Sequence, residues 1–301
     1  MREHFGEDAL KIEKIIKKVL EADKYLHVER LGGLTNRTYK VTMENGKSYV
    51  VRLPGEGTEE LINRADEKNS TELACEIGID AQMLYFGEDG IKVTHYVEGA
   101  KTLSAKELRQ RDIVVMVAQV LRMLHSSGKN TNVPFEVFDM AMSYEKIIKS
   151  NNVILYEDYA QIKEKVMQVK AYVDRKGKAE LVPCHNDPLC ENWVLSSRKQ
   201  LFLIDWEYAG MNDRMWDLAD VSIEAEYSSE QDELLLKEYL GYNPDQDEKE
   251  HFQANKIYID FLWTLWGKAR VPFDGESMEI YALERYERLK KNLENFIMEE
   301  K

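Results

Sequence analysis

Residues 181–208 read LVPCHNDPLCENWVLSSRKQLFLIDWEY, and the reading of this stretch decides the fold. Trp193–Leu195 and Leu201–Ile204 are two β-prone runs separated by the polar residues Ser196 to Gln200, so a hairpin is expected. Folding about that turn makes Asn192, just before the first run, a neighbour of Asp205, just after the second. Asp187 lies a little upstream, and two carboxylates with one amide carbonyl are then expected around a single point. Hard oxygen ligands of this kind, too few for a closed calcium cage, suit Mg²⁺ shared with a phosphate group. The competing reading is a set of turn-capping Asp and Asn side chains beside an edge hairpin.

Outward from this segment, the periodicity changes in character twice. Residues 8–22 place Leu10, Ile12, Ile15, Ile16, Val19 and Leu20 at helical spacing. From Val28 to Leu53, the runs YKVTM and KSYVVRL flank Asn45-Gly46, a strong hairpin signal. A helix is expected over 62–77 and a strand over 91–97. After Gly99 helical patterns dominate, over 105–127, 143–150, 157–175 and from about 230 to the end. The fold class expected is α+β with two lobes: a small antiparallel-sheet lobe over 1–97 and a mainly helical lobe over 98–301.

Lys and Arg number 41 against 55 Asp and Glu in 301 residues, a formal charge of −14. That disfavours nucleic acid and anionic membranes as partners, and suits a cationic small molecule or a metal ion held against a polyphosphate. The longest apolar run, Ile113–Ala118, is far too short to span a bilayer, and the amino terminus lacks a signal-like apolar region; a soluble, cytoplasmic chain is expected. Cys75, Cys184 and Cys190 are too scattered for a disulfide framework, and Cys184, His185 and Cys190 lack a fourth ligand at zinc spacing.

His185-Asn186-Asp187 followed by Asn192 has the H-x-D-x-x-x-x-N spacing of the kinase catalytic loop, and Asp205-Trp206-Glu207 stands where kinases carry D-F-G. With Ile204–Tyr208 as I-D-W-E-Y, the pattern resembles the choline/ethanolamine kinase family, bacterial choline kinase type, over roughly residues 28–270. That family lies in the kinase-like superfamily that also holds aminoglycoside phosphotransferases. The resemblance implies a two-lobed protein-kinase-like fold, ATP and Mg²⁺ as cofactors, and transfer of the γ-phosphoryl group to an alcohol.

Carried over to this sequence, it implies that Asp187, in the His185 motif, orients the substrate hydroxyl. Asn192 and Asp205 would hold Mg²⁺, with Glu207 adding a contact, and Asp217 would tie down the catalytic-loop backbone. Gly32-Gly33-Leu34-Thr35-Asn36 resembles the G-G-x-[ST]-N phosphate loop, with Gly33, Thr35 and Asn36 near the nucleotide. Arg52 occupies the place of the phosphate-contacting lysine. Its helix partner is Glu67 by resemblance, although Glu72 lies nearer the apolar stripe. The backbone of His95, Tyr96 and Val97 would edge the adenine.

The acceptor implied is choline, a small cationic alcohol. Trp263 and Trp266, three apart on one helical face, resemble the aromatic element that lines a trimethylammonium pocket, which Tyr227 with Glu224 or Glu226 would complete. Against this stands a core role for both tryptophans, because Phe261, Leu262 and Leu265 make the helix apolar nearly all round. Ethanolamine kinase, aminoglycoside phosphotransferase and a silent nucleotide-binding pseudokinase are the rival functions.

Overall fold

The computed structural model describes residues 2–32, 36–55 and 62–296. It divides into two compact units, one of Met1–Leu103 with Glu191–Ala209 and the other of Ser104–Cys190 with Gly210–Lys301. The segment Glu191–Ala209 thus groups with the amino-terminal residues, whereas the lobe boundary expected at residue 97 assigned it to the carboxy-terminal lobe.

In the first unit, helix α1 (Arg2–Val19) turns Ile12, Ile15 and Ile16 into a core shared with Val28, Tyr39, Val41, Val51, Leu53 and Val93. Those strand residues come from an antiparallel sheet of order β1-β2-β3-β5-β4. Its strands are β1 (Tyr25–Gly32), β2 (Arg37–Met43), β3 (Ser48–Leu53), β4 (Met83–Phe86) and β5 (Lys92–His95). The β2–β3 turn falls on Asn45-Gly46 as expected: Gly46 takes φ +80°, and its N–H donates to the Met43 carbonyl at 2.9 Å. Helix α2 (Arg64–Glu76) starts where the Asn63 side chain accepts from the Ala65 N–H at 3.0 Å.

The expected second hairpin is present. Strand β8 (Trp193–Leu195) pairs with β9 (Leu201–Leu203) in the register Trp193 to Leu203, and β6 (Lys101–Thr102) adds a third strand. The ladder continues one step, with the Ile204 N–H donating to the Asn192 carbonyl at 3.0 Å, so Asn192 and Asp205 share one end of the hairpin. Leu203 N–H also donates to Ile79 at 2.9 Å, tying the hairpin to the turn after α2.

The second unit holds α3 (Ala105–Leu108), α4 (Arg111–His125), α5 (Val137–Ser150), α6 (Tyr159–Lys176), α7 (Arg214–Glu224), α8 (Ser229–Leu240), α9 (Gln246–Asp274) and α10 (Glu276–Asn295). Strands β7 (Leu181–Cys184) and β10 (Gly210–Asp213) form a two-stranded antiparallel sheet. Helix α9 runs through the core, with Phe252, Ile257, Ile259, Leu262 and Leu265 almost wholly buried. The single helix expected over 105–127 is two. Tyr227 Oη donates to the Leu108 carbonyl at 2.9 Å and Gln231 Nε2 to the Arg109 carbonyl at 2.7 Å, so side chains from outside the helix take the acceptors at the break. No helix among the described residues is long and apolar enough to cross a membrane.

Candidate active site

In the first unit, one carboxylate oxygen each from Glu67, Asp205 and Glu207 lies within 4.8 Å of the others. Arg52, on β3, bonds Glu67 through Nη1 and donates from Nη2 to the Gly90 carbonyl at 2.9 Å. Glu67 is therefore its partner; Glu72 is exposed and faces Lys68 at 3.8 Å. A second arginine, which the sequence reading did not single out, completes the lattice: Arg64 Nη1 donates to Glu67 at 2.7 Å and to Glu207 at 2.6 Å. Gly90 makes room for it, since a Cβ there would sit 2.5 Å from Arg64 Nε. Asn36 Nδ2 donates to the same Glu207 oxygen at 3.0 Å, which brings one residue of the expected phosphate loop to the cluster. Gly33 and Thr35 lie outside the described residues.

The charges here are unequally matched. Burial alone would raise the Glu67 carboxyl, but the charge and hydrogen bond of Arg52 outweigh it and hold Glu67 low. Glu207 goes the other way, pushed up by burial and by the neighbouring Asp205 carboxylate despite Arg52 and Arg64. Asp205 sits at φ +72°, a left-handed conformation that Asp tolerates. Its Oδ1 is buried without a hydrogen bond, 3.6 Å from the nearest Arg52 nitrogen. A hard-oxygen site with an unsatisfied carboxylate oxygen beside a destabilised second carboxylate fits a small divalent cation such as Mg²⁺. Asn192 stands at the same hairpin end, its backbone carbonyl accepting from the Ile204 N–H.

At the proposed adenine edge, the N–H of His95 donates to Gln82 at 2.9 Å and that of Tyr96 to Ser48 at 3.1 Å. Neither can donate to a base, so any donor role of this trio falls to Val97.

In the second unit, the loop carrying Asp187 is fixed from below by α7. Asp217 accepts from the His185 N–H and from the Asn186 N–H, each at 2.8 Å. Trp216 Nε1 donates to the Asn186 carbonyl at 3.0 Å, and the Asn212 amide donates to Asn186 Oδ1 at 2.9 Å. These bonds hold Asn186 at φ +67° and present Asp187, which is only half-buried. Asp217 is held in turn by His125 Nε2 at 3.0 Å, whose Nδ1 meets Tyr239 Oη at 2.9 Å. The expected catalytic role of His185 does not suit its place: the ring is fully buried, and Nδ1 accepts the Asp187 N–H at 3.3 Å. Its ring shapes the turn.

The expected acceptor residues fall in the same unit with differing commitments. Trp263 is buried at 4% exposure and meets half-buried Trp266 edge-on with centroids 6.0 Å apart; Trp266 meets Tyr281 at 5.6 Å. Burial favours the core role for Trp263 and leaves Trp266 as the more accessible indole. Tyr227 spends its hydroxyl on the Leu108 carbonyl, which leaves its ring face uncommitted, and exposed Glu226 pairs with Arg109 at 2.7 Å. Glu224 Oε1 lies 2.6 Å from Arg285 Nη2, an ion pair at an angle that makes no hydrogen bond. Asp220, one turn before Glu224, was missed by the sequence reading: it is fully buried, and neither of its oxygens is hydrogen-bonded. The spacing Asp217, Asp220, Glu224 puts three carboxylates along one face of α7, a signal the sequence does carry.

The family model "Choline/ethanolamine kinase" matches residues 28–270. The protein LicA of Haemophilus influenzae is 30% identical over 272 residues, covering 88% of this chain and 79% of that one. The crystal structure of choline kinase LicA from Streptococcus pneumoniae is similar at 34% identity and a TM-score of 0.83, covering 97% of this chain and all of that one (100%). A choline/ethanolamine kinase family protein from Mesorhizobium loti has a TM-score of 0.85 at 31% identity, covering 95% of each chain. The kinase-like α+β fold, the pinned loop before Asp187 and the carboxylates at the hairpin end agree with these matches, and the chain belongs to the choline/ethanolamine kinase family of small-molecule kinases.

Proposed function

We propose that this chain is an ATP- and Mg²⁺-dependent choline kinase that transfers the γ-phosphoryl group to the hydroxyl of choline, giving phosphocholine. The observation that carries the reading is the aromatic series Trp263, Trp266 and Tyr281, each ring edge-on to the next, in the same unit as the carboxylates of Asp187 and Glu224. Aromatic faces beside carboxylates are what a cationic alcohol requires. Asp187 would then both orient the hydroxyl and accept its proton as the new O–P bond forms.

In the first unit, Asp205, Asn192 and Glu207 would hold the metal, and Arg52 would steady the phosphates while Glu67 and Arg64 keep its guanidinium in place. Magnesium bound there would neutralise phosphate charge as it builds. Asn36 and the loop of Gly33 and Thr35 would meet the phosphates, and His95, Tyr96 and Val97 would line the adenine with Val97 as donor. Trp266 and Tyr281 would face the ammonium, with Trp263 behind them. The three cysteines are all free, which suits a reducing, cytoplasmic setting.

Ethanolamine is the second reading, because the matching family model covers both acceptors. ADP release measured with choline, ethanolamine and kanamycin tests the acceptor. The expected order is choline first, by at least about tenfold in kcat/KM, with kanamycin silent. A preference for ethanolamine would replace choline, and turnover of kanamycin alone would overturn the reading.

A further inference from the structure

Helix α1 lies before residue 28, where the matching family model begins, and polar contacts near both its ends tie it across the sheet of the first unit. Toward its start, Asp8 Oδ2 accepts from Tyr39 Oη at 2.6 Å and from Arg37 Nε at 2.8 Å. Toward its end, Lys18 Nζ donates to Tyr85 Oη at 2.8 Å, on the edge strand β4. Between these contacts Ile12, Ile15 and Ile16 pack on the sheet. Gly6, at φ +47° and ψ −122°, breaks the helix just before Asp8, so Asp8 falls in the first turn of the segment that follows, where negative charge is favoured. Burial would raise the Asp8 carboxyl, but the Tyr39 hydroxyl and the Arg37 guanidinium outweigh it and hold it low.

Arg37 is the first residue of β2 and is joined directly to Asn36, whose Nδ2 donates to Glu207 at 3.0 Å in the carboxylate cluster. The register partner of Arg37 is Leu53, and that of the next residue, Thr38, is Arg52. Alternation places Arg37, Tyr39 and Val41 on the sheet face that meets α1, and Thr38 with Arg52 on the face of the cluster. The sheet therefore separates Asp8 from the cluster. What Asp8 fixes is the start of β2, from which Asn36 departs, and it does so through one charge-assisted bond and one short hydroxyl bond. Resting on the nucleotide reading above, we infer that Asp8 is a positioning residue for the nucleotide phosphates: through Arg37 and Tyr39 it holds Asn36 against Glu207, and so sets how tightly MgATP is bound.

The test is calorimetric binding of MgATP and of AMP, which lacks the two terminal phosphates, to the full-length wild type and its variants. Asp8→Ala should weaken MgATP by about tenfold and AMP by less than about twofold, because the loss falls on the phosphate end alone. Arg37→Ala should do the same, and the double variant should lose no more than either single one, since both break one path. Ile12→Ala is the contrast: it loosens the same helix and lowers Tm, yet should leave both affinities within about twofold of the wild type. Asp8→Asn keeps an oxygen for Tyr39 and should show the same selectivity at about threefold, a result that decides the matter even where Asp8→Ala does not fold. An unchanged MgATP affinity in the Asp8 variants, an equal loss for AMP, or the same selective loss in Ile12→Ala would overturn the inference. MgATP binding that depends on Asp8 in a protein that forms no phosphocholine would uphold it and overturn the proposed reaction instead.

Discussion

Asp80 stands in the turn after α2, wholly buried, accepting from the Ala81 N–H at 2.6 Å and from Trp206 Nε1 at 3.0 Å. It fixes the middle residue of Asp205-Trp206-Glu207 and so the direction in which the two flanking carboxylates leave the hairpin. Burial pushes its carboxyl up to about 6 from 3.8, although Lys92 and the two hydrogen bonds oppose this. Between pH 4 and 6 the native state keeps a proton that the unfolded chain has released, so stability falls as pH rises through that window, by about 3 kcal/mol. In Asp80→Asn that slope should vanish from urea titrations at successive pH values; an unchanged slope would show that another group is responsible.

The hairpin β8–β9 and the helix α7 are the two elements that turn sequence spacing into a site. Asp217→Asn leaves one oxygen where two backbone N–H groups need an acceptor each, and the buried amide N–H of the new side chain faces a backbone donor in turn. The expected result is a kcat lowered by at least about 100-fold with the nucleotide KM preserved, and a loss of about 2–4 kcal/mol in denaturant unfolding. A lowered stability with kcat intact would separate the helix from the chemistry. The hairpin was legible because two short β-runs enclosed a polar turn, and Asp217 because Trp216-Asp217-Leu218 resembles the family's element. Strands β4 and β10 were not, since four residues carry too little periodicity to stand out. The α3–α4 break was hidden for a different reason: the side chains that satisfy its carbonyls, Tyr227 and Gln231, lie more than a hundred positions away. Arg64 was equally hidden, because its partner Glu207 is 143 residues distant.

Across the whole chain, the excess of acidic residues, −14 in formal charge, is structured rather than diffuse. In one unit Glu67, Asp205 and Glu207 gather against Arg52 and Arg64; in the other Asp187, Asp220, Glu224 and Asp260 gather against Arg285 and Arg288. The first grouping suits a metal on a polyphosphate and the second an alcohol bearing a positive charge, the two reactants of one phosphoryl transfer. That the phosphate end was readable from His185 to Glu207 reflects how many polar positions must coincide in that segment, whereas the acceptor end rested on Trp263 and Trp266, of which burial leaves Trp266 the more accessible. The central claim is that the phosphoryl group lands on the hydroxyl of choline. A ³¹P NMR time course of the wild-type protein with ATP, Mg²⁺ and choline follows that group directly. A phosphomonoester resonance matching phosphocholine should grow in step with ADP and vanish when the metal is chelated; ADP accumulating with inorganic phosphate and no monoester would contradict the account.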